Sequence, residues 1–158
     1  MATGVGKTIA ALGCLENLSK INDQLVTVIC CPYNHLITQW ENEIKRFGIK
    51  DKIIISDSSN KDWRNELSNY ISYINQKYSD RLIIITTYNT FSSEFFISQI
   101  NRFEKDLLLI CDEMHWSGAE TFSRGLIDKY KFRLGLSATP KRYLDDAGSD
   151  LIMSYFGG

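Results

Sequence analysis

What this 158-residue chain has little of narrows its class first. Its charges almost cancel, 18 Lys and Arg against 19 Asp and Glu for a formal net charge of -1. No field of positive charge therefore invites nucleic acid at the level of the whole chain, and any such contact must be local. It has two histidines and four cysteines. Cys14, Cys30, Cys31 and Cys111 lie in apolar stretches, with no CxxC pair and no histidine at zinc-ligand spacing. That excludes the common zinc sites and reads the cysteines as reduced core residues of a cytosolic protein. No apolar run approaches the roughly 20 residues of a membrane-spanning helix, and no basic segment followed by an apolar core opens the chain as a secretory signal does. A soluble, cytoplasmic protein without membrane contact is the expectation. There is no internal repeat and no low-complexity linker, only a polar stretch around 56–61 and a looser tail after Pro140.

What is present is a core. With 44% hydrophobic and 12% aromatic residues, a chain within the roughly 100–200 residues of one domain can hide about 70% of its unfolded surface. Five runs rich in Val, Ile or Leu without alternation, Leu25 to Cys31, Lys52 to Ser56, Arg81 to Tyr88, Asp106 to Asp112 and Phe132 to Ser137, read as parallel strands buried on both faces. Between them, Leu36, Trp40, Ile44 and Phe47 share one helical face, and Trp63, Leu67, Ile71 and Ile74 another. Ser59 or Asn60 is placed to cap the second helix and Gly48 to end the first. Trp40 and Trp63, at helical spacing with apolar residues, are assigned to packing rather than base stacking. Strand and helix alternate, so the fold class is α/β, a mostly parallel sheet with helices on both faces and ligands expected at the carboxyl ends of the strands.

Two motifs carry chemistry. Thr3-Gly4-Val5-Gly6-Lys7-Thr8, followed by Ile9, Leu12, Leu15 and Leu18, reads as a phosphate-binding loop opening onto a helix. Gly4 and Gly6 would turn backbone N–H groups toward phosphate oxygens, Lys7 would reach the β- and γ-phosphates, and the Thr8 hydroxyl would ligate magnesium. Downstream, the apolar run Leu107 to Cys111 ends in Asp112-Glu113, the paired carboxylates a magnesium-nucleotide site needs at a strand end. Asp112 would hold the metal and Glu113 would orient and deprotonate the attacking water. Either motif by itself has a plain reading, as a glycine turn or a solvated strand end; the two on one sheet edge imply ATP and Mg²⁺.

Asp112-Glu113-Met114-His115 resembles the DExH box of superfamily 2 helicases, and Gly135-Leu136-Ser137-Ala138-Thr139-Pro140 resembles their third motif. The phosphate loop is similar to that of the type III restriction enzyme and UvrB-like branch, and the resemblance covers nearly the whole chain. It implies a RecA-like ATP-binding domain in which His115, Ser137, Ala138 and Thr139 couple the nucleotide site to the nucleic-acid track. It also makes Pro32, Tyr33 and Asn34 similar to motif Ia, and Thr87 and Tyr88, within Thr86 to Thr90, similar to motif Ib, both facing a phosphate backbone. Outside that context Ser137 to Pro140 is a strand-ending turn, and the other two segments are ordinary polar loops. Lys141 and Arg142 read as a solvated basic pair, or as a loop near an interdomain cleft.

The chain departs from the family pattern at both ends. Only six residues precede Lys7, so the strand that should lead into the phosphate loop is expected to be missing, baring ladder groups on two neighbours, and Met1 stands at the first-glycine position. Residues 1–158 are expected to be the first RecA-like domain of a longer protein, truncated at both ends, whose partners are nucleic acid, DNA favoured over RNA by the resemblance, and a second RecA-like domain of the same chain. Without that domain's arginine, worth about a thousandfold or more in related enzymes, the isolated chain should hydrolyse ATP weakly or not at all. The rivals are a phosphate-loop ATPase that ignores nucleic acid and a fragment that binds without turnover.

Overall fold

The structure, a computed structural model, describes the backbone of residues 3–137 and 146–157. In chain order the elements are α1 (Thr3–Ser19), β1 (Leu25–Cys31), α2 (Asn34–Phe47), β2 (Lys52–Ser56), α3 (Trp63–Asn75), β3 (Arg81–Thr87), α4 (Tyr88–Phe91), α5 (Glu94–Ile100), β4 (Leu107–Cys111), two short 3-10 turns at Met114–Gly118 and Ser123–Gly125, β5 (Tyr130–Gly135) and α6 (Asp146–Phe156). The five strands form one parallel sheet in the order β2-β3-β1-β4-β5.

Both faces are buried because the strands have no polar face. Ile29, Ile83, Ile85, Leu108 and Ile110 point to one side, where Ala11, Leu12 and Leu15 of α1 and Ile37, Trp40 and Ile44 of α2 cover them. Val28, Ile84, Leu107 and Leu109 point to the other, against Trp63, Leu67 and Ile71 of α3, Phe91 of α4 and Phe96 of α5. At about 1.5–3 kcal/mol for each fully buried large apolar side chain, this two-sided burial outweighs the surface ion pairs, each worth about 0–1 kcal/mol. Trp40 and Trp63 are both core residues, on opposite faces.

Local chemistry explains where the elements stop. Gly48 ends α2 at φ 91°, a left-handed turn that costs glycine nothing. β5 begins at Tyr130, ahead of the expected Phe132, because a bulge between Leu107 and Leu108 pairs Tyr130 with Leu107 and leaves exposed Lys131 without an opposite residue. β3 and β4 end one residue early: Tyr88 opens α4, and Asp112 keeps only its N–H on the ladder before a left-handed turn at Glu113.

Several expectations are corrected. Neither Ser59 nor Asn60 caps α3, whose N-cap is Asp62; Ser59 bonds back to Asp57 and Asn60 to the Ile55 carbonyl, so both serve the turn before it. Cys14 is exposed on α1 while Cys30, Cys31 and Cys111 are buried. The tail after Pro140 includes a helix, α6, whose Tyr155 stacks on Arg133 of β5 at 3.7 Å and donates its hydroxyl to the Ile127 carbonyl at 2.7 Å. Among the described residues the five strands pair continuously, with β2 and β5 as edges. No helix among the described residues is long and apolar enough to cross a membrane.

One polar clamp orients α1. Arg81, at the start of β3, bonds Glu16 near the end of α1 at 2.9 Å and Asp51 just before β2 at 3.0 Å. Burial pushes the Asp51 carboxyl up although Arg81 holds it down. Burial opposes the charge on Arg81 too, but the bonds from Glu16 and Asp51 outweigh it and raise its pKa. The clamp's net worth is therefore modest. Arg81→Met is expected to lower the unfolding free energy by about 1–2 kcal/mol, and Asp51→Asn by less, read from urea midpoints. In a thiol titration of the folded chain Cys14 should react rapidly and the three buried cysteines only on denaturation.

Candidate nucleotide site at the carboxyl edge of the sheet

The clamp dictates where the phosphate-binding segment lies. With Glu16 held at the amino end of β3, α1 runs antiparallel to the strands. Lys7, nine residues earlier and so about 13 Å along the axis, lies toward the strands' carboxyl ends. Gly4 to Thr8 are wound into α1, which starts at Thr3, so the segment is not the separate loop expected. Its glycines occupy the first helical turn, whose N–H groups have no partner within a helix. Lys7 and Thr8 are half-buried and Gly6 exposed.

Asp112 is fixed at every point. The side chains of β4 alternate between the two faces, and Asp112 continues the series of Leu108 and Ile110 toward α2. There its Oδ2 accepts the Trp40 indole N–H at 2.9 Å. Its own N–H donates to the Cys30 carbonyl at 2.8 Å, and its carbonyl accepts the Tyr88 hydroxyl at 2.9 Å. Burial pushes the Cys31 and Cys111 thiols up to about 12 and the Cys30 thiol and Tyr88 hydroxyl well above their ordinary values. The groups lining Asp112 thus stay protonated at neutral pH, and no thiolate competes as a ligand.

Glu113 sits at φ 50°, ψ 60°, a left-handed conformation that costs a non-glycine residue on the order of 1–3 kcal/mol. Hydrogen bonds on either side impose it. The Met114 N–H donates to the Leu136 carbonyl at 2.7 Å, and the Leu136 N–H to the Cys111 carbonyl at 2.9 Å. Gly135 permits that stitch, because the Met114 side chain lies where a Cβ would stand. The His115 Nδ1 lies 3.5 Å from Glu113 Oε2. Ser137, half-buried, follows directly from the stitched Leu136, so the carboxylate pair and the start of the third motif are one unit. Ala138, Thr139, Pro140, Lys141 and Arg142 lie outside the described residues.

Pro32 and Tyr33 form the turn between β1 and α2 at the same edge, and Asn34 opens α2. Tyr33 is 50% exposed, stacks on His35 and meets the Trp116 ring edge-on at 5.4 Å. Thr87 and Tyr88 do not belong to a surface. Both are buried, and the Tyr88 hydroxyl donates to the Asp112 carbonyl, so Tyr88 supports the carboxylate turn. Among residues that sequence reasoning left out of the site, Trp40 and Trp116 touch it. The signal for Trp40 was the indole N–H, which seeks a partner when buried.

Magnesium suits this arrangement. Among the described residues no three His, Cys, Asp or Glu side chains cluster tightly enough to hold a metal alone, and Mg²⁺ commonly takes one or two carboxylates while keeping waters and substrate phosphates. Asp112 offers the oxygen Trp40 does not use, and the Thr8 hydroxyl belongs to the α1 turn directed at this edge.

Known proteins resemble this chain in sequence and in fold. Residues 1–142 match the family model described as type III restriction enzyme, res subunit. The chain is 32% identical over 157 residues to a protein described as a helicase, 109L of Invertebrate iridescent virus 3, covering 98% of this chain and 42% of that one. It is 30% identical over 148 residues to a protein described as the DNA 3'-5' helicase Rad25 of Halobacterium salinarum, covering 94% and 21%. Among solved structures it superposes on a nuclease-deletion mutant of the Type ISP restriction-modification enzyme LlaGI, in complex with a DNA substrate mimic. The TM-score is 0.71 at 21% identity, over 92% of this chain and 16% of that one, a likeness of fold. The chain spans less than half the length of the curated relatives named.

The strain at Glu113 is testable apart from activity. Glu113→Gly should leave the chain more stable than Glu113→Ala by about 1 kcal/mol, the reverse of their order in an ordinary helix or strand. Paired thermal or urea melts measure it.

Proposed function

Because the chain belongs to the type III restriction enzyme res-subunit family, we propose that it is the first, ATP-binding RecA-like domain of a nucleic-acid-dependent ATPase, a DNA helicase or translocase that spends ATP to move on or unwind DNA. The observation that carries this reading is the stitched turn: Asp112 and Glu113 end β4 and are hydrogen-bonded through Leu136 to the strand that delivers Ser137, at the edge toward which α1 directs Lys7 and Thr8.

On this reading each residue has a role. The N–H groups of the first turn of α1, Thr3 to Gly6, point at an anion and add the helix's positive end. Lys7 neutralises the outer phosphates, and Thr8 and Asp112 hold the Mg²⁺ that accompanies them. When bound, Mg²⁺-ATP supplies the transferable phosphoryl group and its charge neutralisation. Glu113, turned out of the strand line by its left-handed backbone, orients the attacking water and takes its proton. His115, against the Glu113 carboxylate, and Ser137, with Ala138 and Thr139 after it, pass the state of that site to the nucleic-acid track. Pro32, Tyr33 and Asn34 contribute to the track at the head of α2, where backbone N–H groups can meet phosphates without side-chain charge. DNA is favoured because the Rad25 relative is described as a DNA helicase and the LlaGI structure contains a DNA mimic. A second RecA-like domain would close on this edge and supply an arginine.

The test is ATP hydrolysis by the longer protein containing this chain, with single-stranded DNA, duplex DNA and RNA in turn. Stimulation by DNA is expected. Glu113→Gln should lower turnover by about a hundredfold or more while nucleotide still binds, and Lys7→Ala should weaken nucleotide binding itself. Turnover indifferent to every nucleic acid would remove the motor assignment and leave an ATPase only.

A further inference from the structure

Trp40 makes a contact that packing does not call for. Its ring is 2% exposed in the core face shared by Ile37, Ile44, Leu108 and Ile110, where a phenylalanine would fill most of the same space. Its indole N–H, however, reaches Asp112 Oδ2 at 2.9 Å. The other two bonds of Asp112, from its N–H to the Cys30 carbonyl and from the Tyr88 hydroxyl to its carbonyl, hold its backbone and leave the side chain free to rotate. Among the described residues the indole is the hydrogen-bond partner of the carboxylate itself. A bond to a carboxylate is short and directional, so Trp40 sets which oxygen faces inward and which faces the edge of the sheet.

We propose that Trp40 is a positioning residue for Asp112: its N–H holds Oδ2 against α2 so that Oδ1 is presented to the divalent cation of the nucleotide. This rests on the ATP-site reading above. Groups that orient a ligating carboxylate commonly govern metal affinity nearly as much as the ligand does, and here the orienting group is rigid, buried and carried by a 14-residue helix rather than by a loop.

The experiment uses the 158-residue chain and Mn²⁺ as the probe, with free Mn²⁺ followed by electron paramagnetic resonance in the presence of ADP. Trp40→Phe is expected to weaken Mn²⁺ binding by about tenfold to a hundredfold, as is Asp112→Asn, while metal-free ADP binding stays unchanged. Ile44→Ala opens a cavity in the same core without touching a polar group and should leave Mn²⁺ affinity unchanged. Equal Mn²⁺ affinity in Trp40→Phe and the unaltered chain overturns the proposal and leaves the ATP site standing; so does an equal loss in Trp40→Phe and Ile44→Ala, which reduces the indole to packing. If the unaltered chain takes up no Mn²⁺ with ADP, the ATP-site reading falls and this proposal with it. Should Trp40→Phe not fold, the unaltered chain still decides, because Mg²⁺-ADP should shift the Trp40 indole N–H resonance, and an unmoved resonance overturns the proposal.

Discussion

The arrangement at the site depends on the common direction and level of β3, β1 and β4. Cys30 pairs with Thr86 on one side and with Cys111 on the other, so three strands end side by side and their following residues meet. A slip of one residue in any of these pairings would send its side chains to the opposite core, and with Val, Ile and Leu on both faces each strand is pinned twice. The Asp112 N–H to Cys30 carbonyl bond is the last rung of that ladder. The carboxylate is held because the sheet is in register, and the register is held because two greasy cores demand it.

On that frame a small amount of strain is stored. A left-handed Glu113 costs on the order of 1–3 kcal/mol, and two backbone hydrogen bonds to Leu136 each return about 0.5–1.5 kcal/mol, with the burial of the Leu136 side chain added. The balance is close to even, so the turn is kept by its surroundings rather than by its own preference. What is gained is direction: in an ideal strand Glu113 would point into the core that holds Cys111 and Met114, where a carboxylate could not stay charged. The left-handed turn takes it out, to a position half-exposed and beside His115.

Much of this was legible in the sequence because burial on two faces writes itself as uninterrupted apolar runs. All five strands were located within two residues at each end, and both amphipathic helices were found, with Gly48 ending the first. What was not legible depends on partners distant in sequence. That Tyr88 is buried under Asp112 requires knowing that β3 and β4 flank β1; local composition makes Thr87 and Tyr88 look like any polar strand end. That Trp40 serves the carboxylate requires the face on which Asp112 emerges. The bulge that brings β5 forward to Tyr130 hides the strand's start behind one exposed lysine. Ser59 and Asn60 are good caps by type, but Asp57 and the Ile55 carbonyl lie closer and win them.

The neutral composition also finds its physical counterpart. Helices α1 and α2, whose heads lie at the carboxyl edge beside the carboxylate turn, carry no acidic residue in their first turns; α3, which starts from the same edge beside β2, carries Glu66 there. An acid in that turn would neutralise the positive end of the helix, which attracts anions by about 0.3–1 kcal/mol at an exposed site. On the proposed reading both ligands, a nucleotide and a nucleic-acid strand, present phosphates. On that reading, uncovered helix heads would serve both without clustered lysine or arginine, and a chain of net charge -1 could recognise two polyanions on one edge. The two heads are linked through the same carboxylate turn: α2 meets it with Tyr33 against Trp116 and with Trp40 against Asp112. A shift of α2 on binding a strand would therefore be felt first at the Asp112 carboxylate, before any change in the sheet.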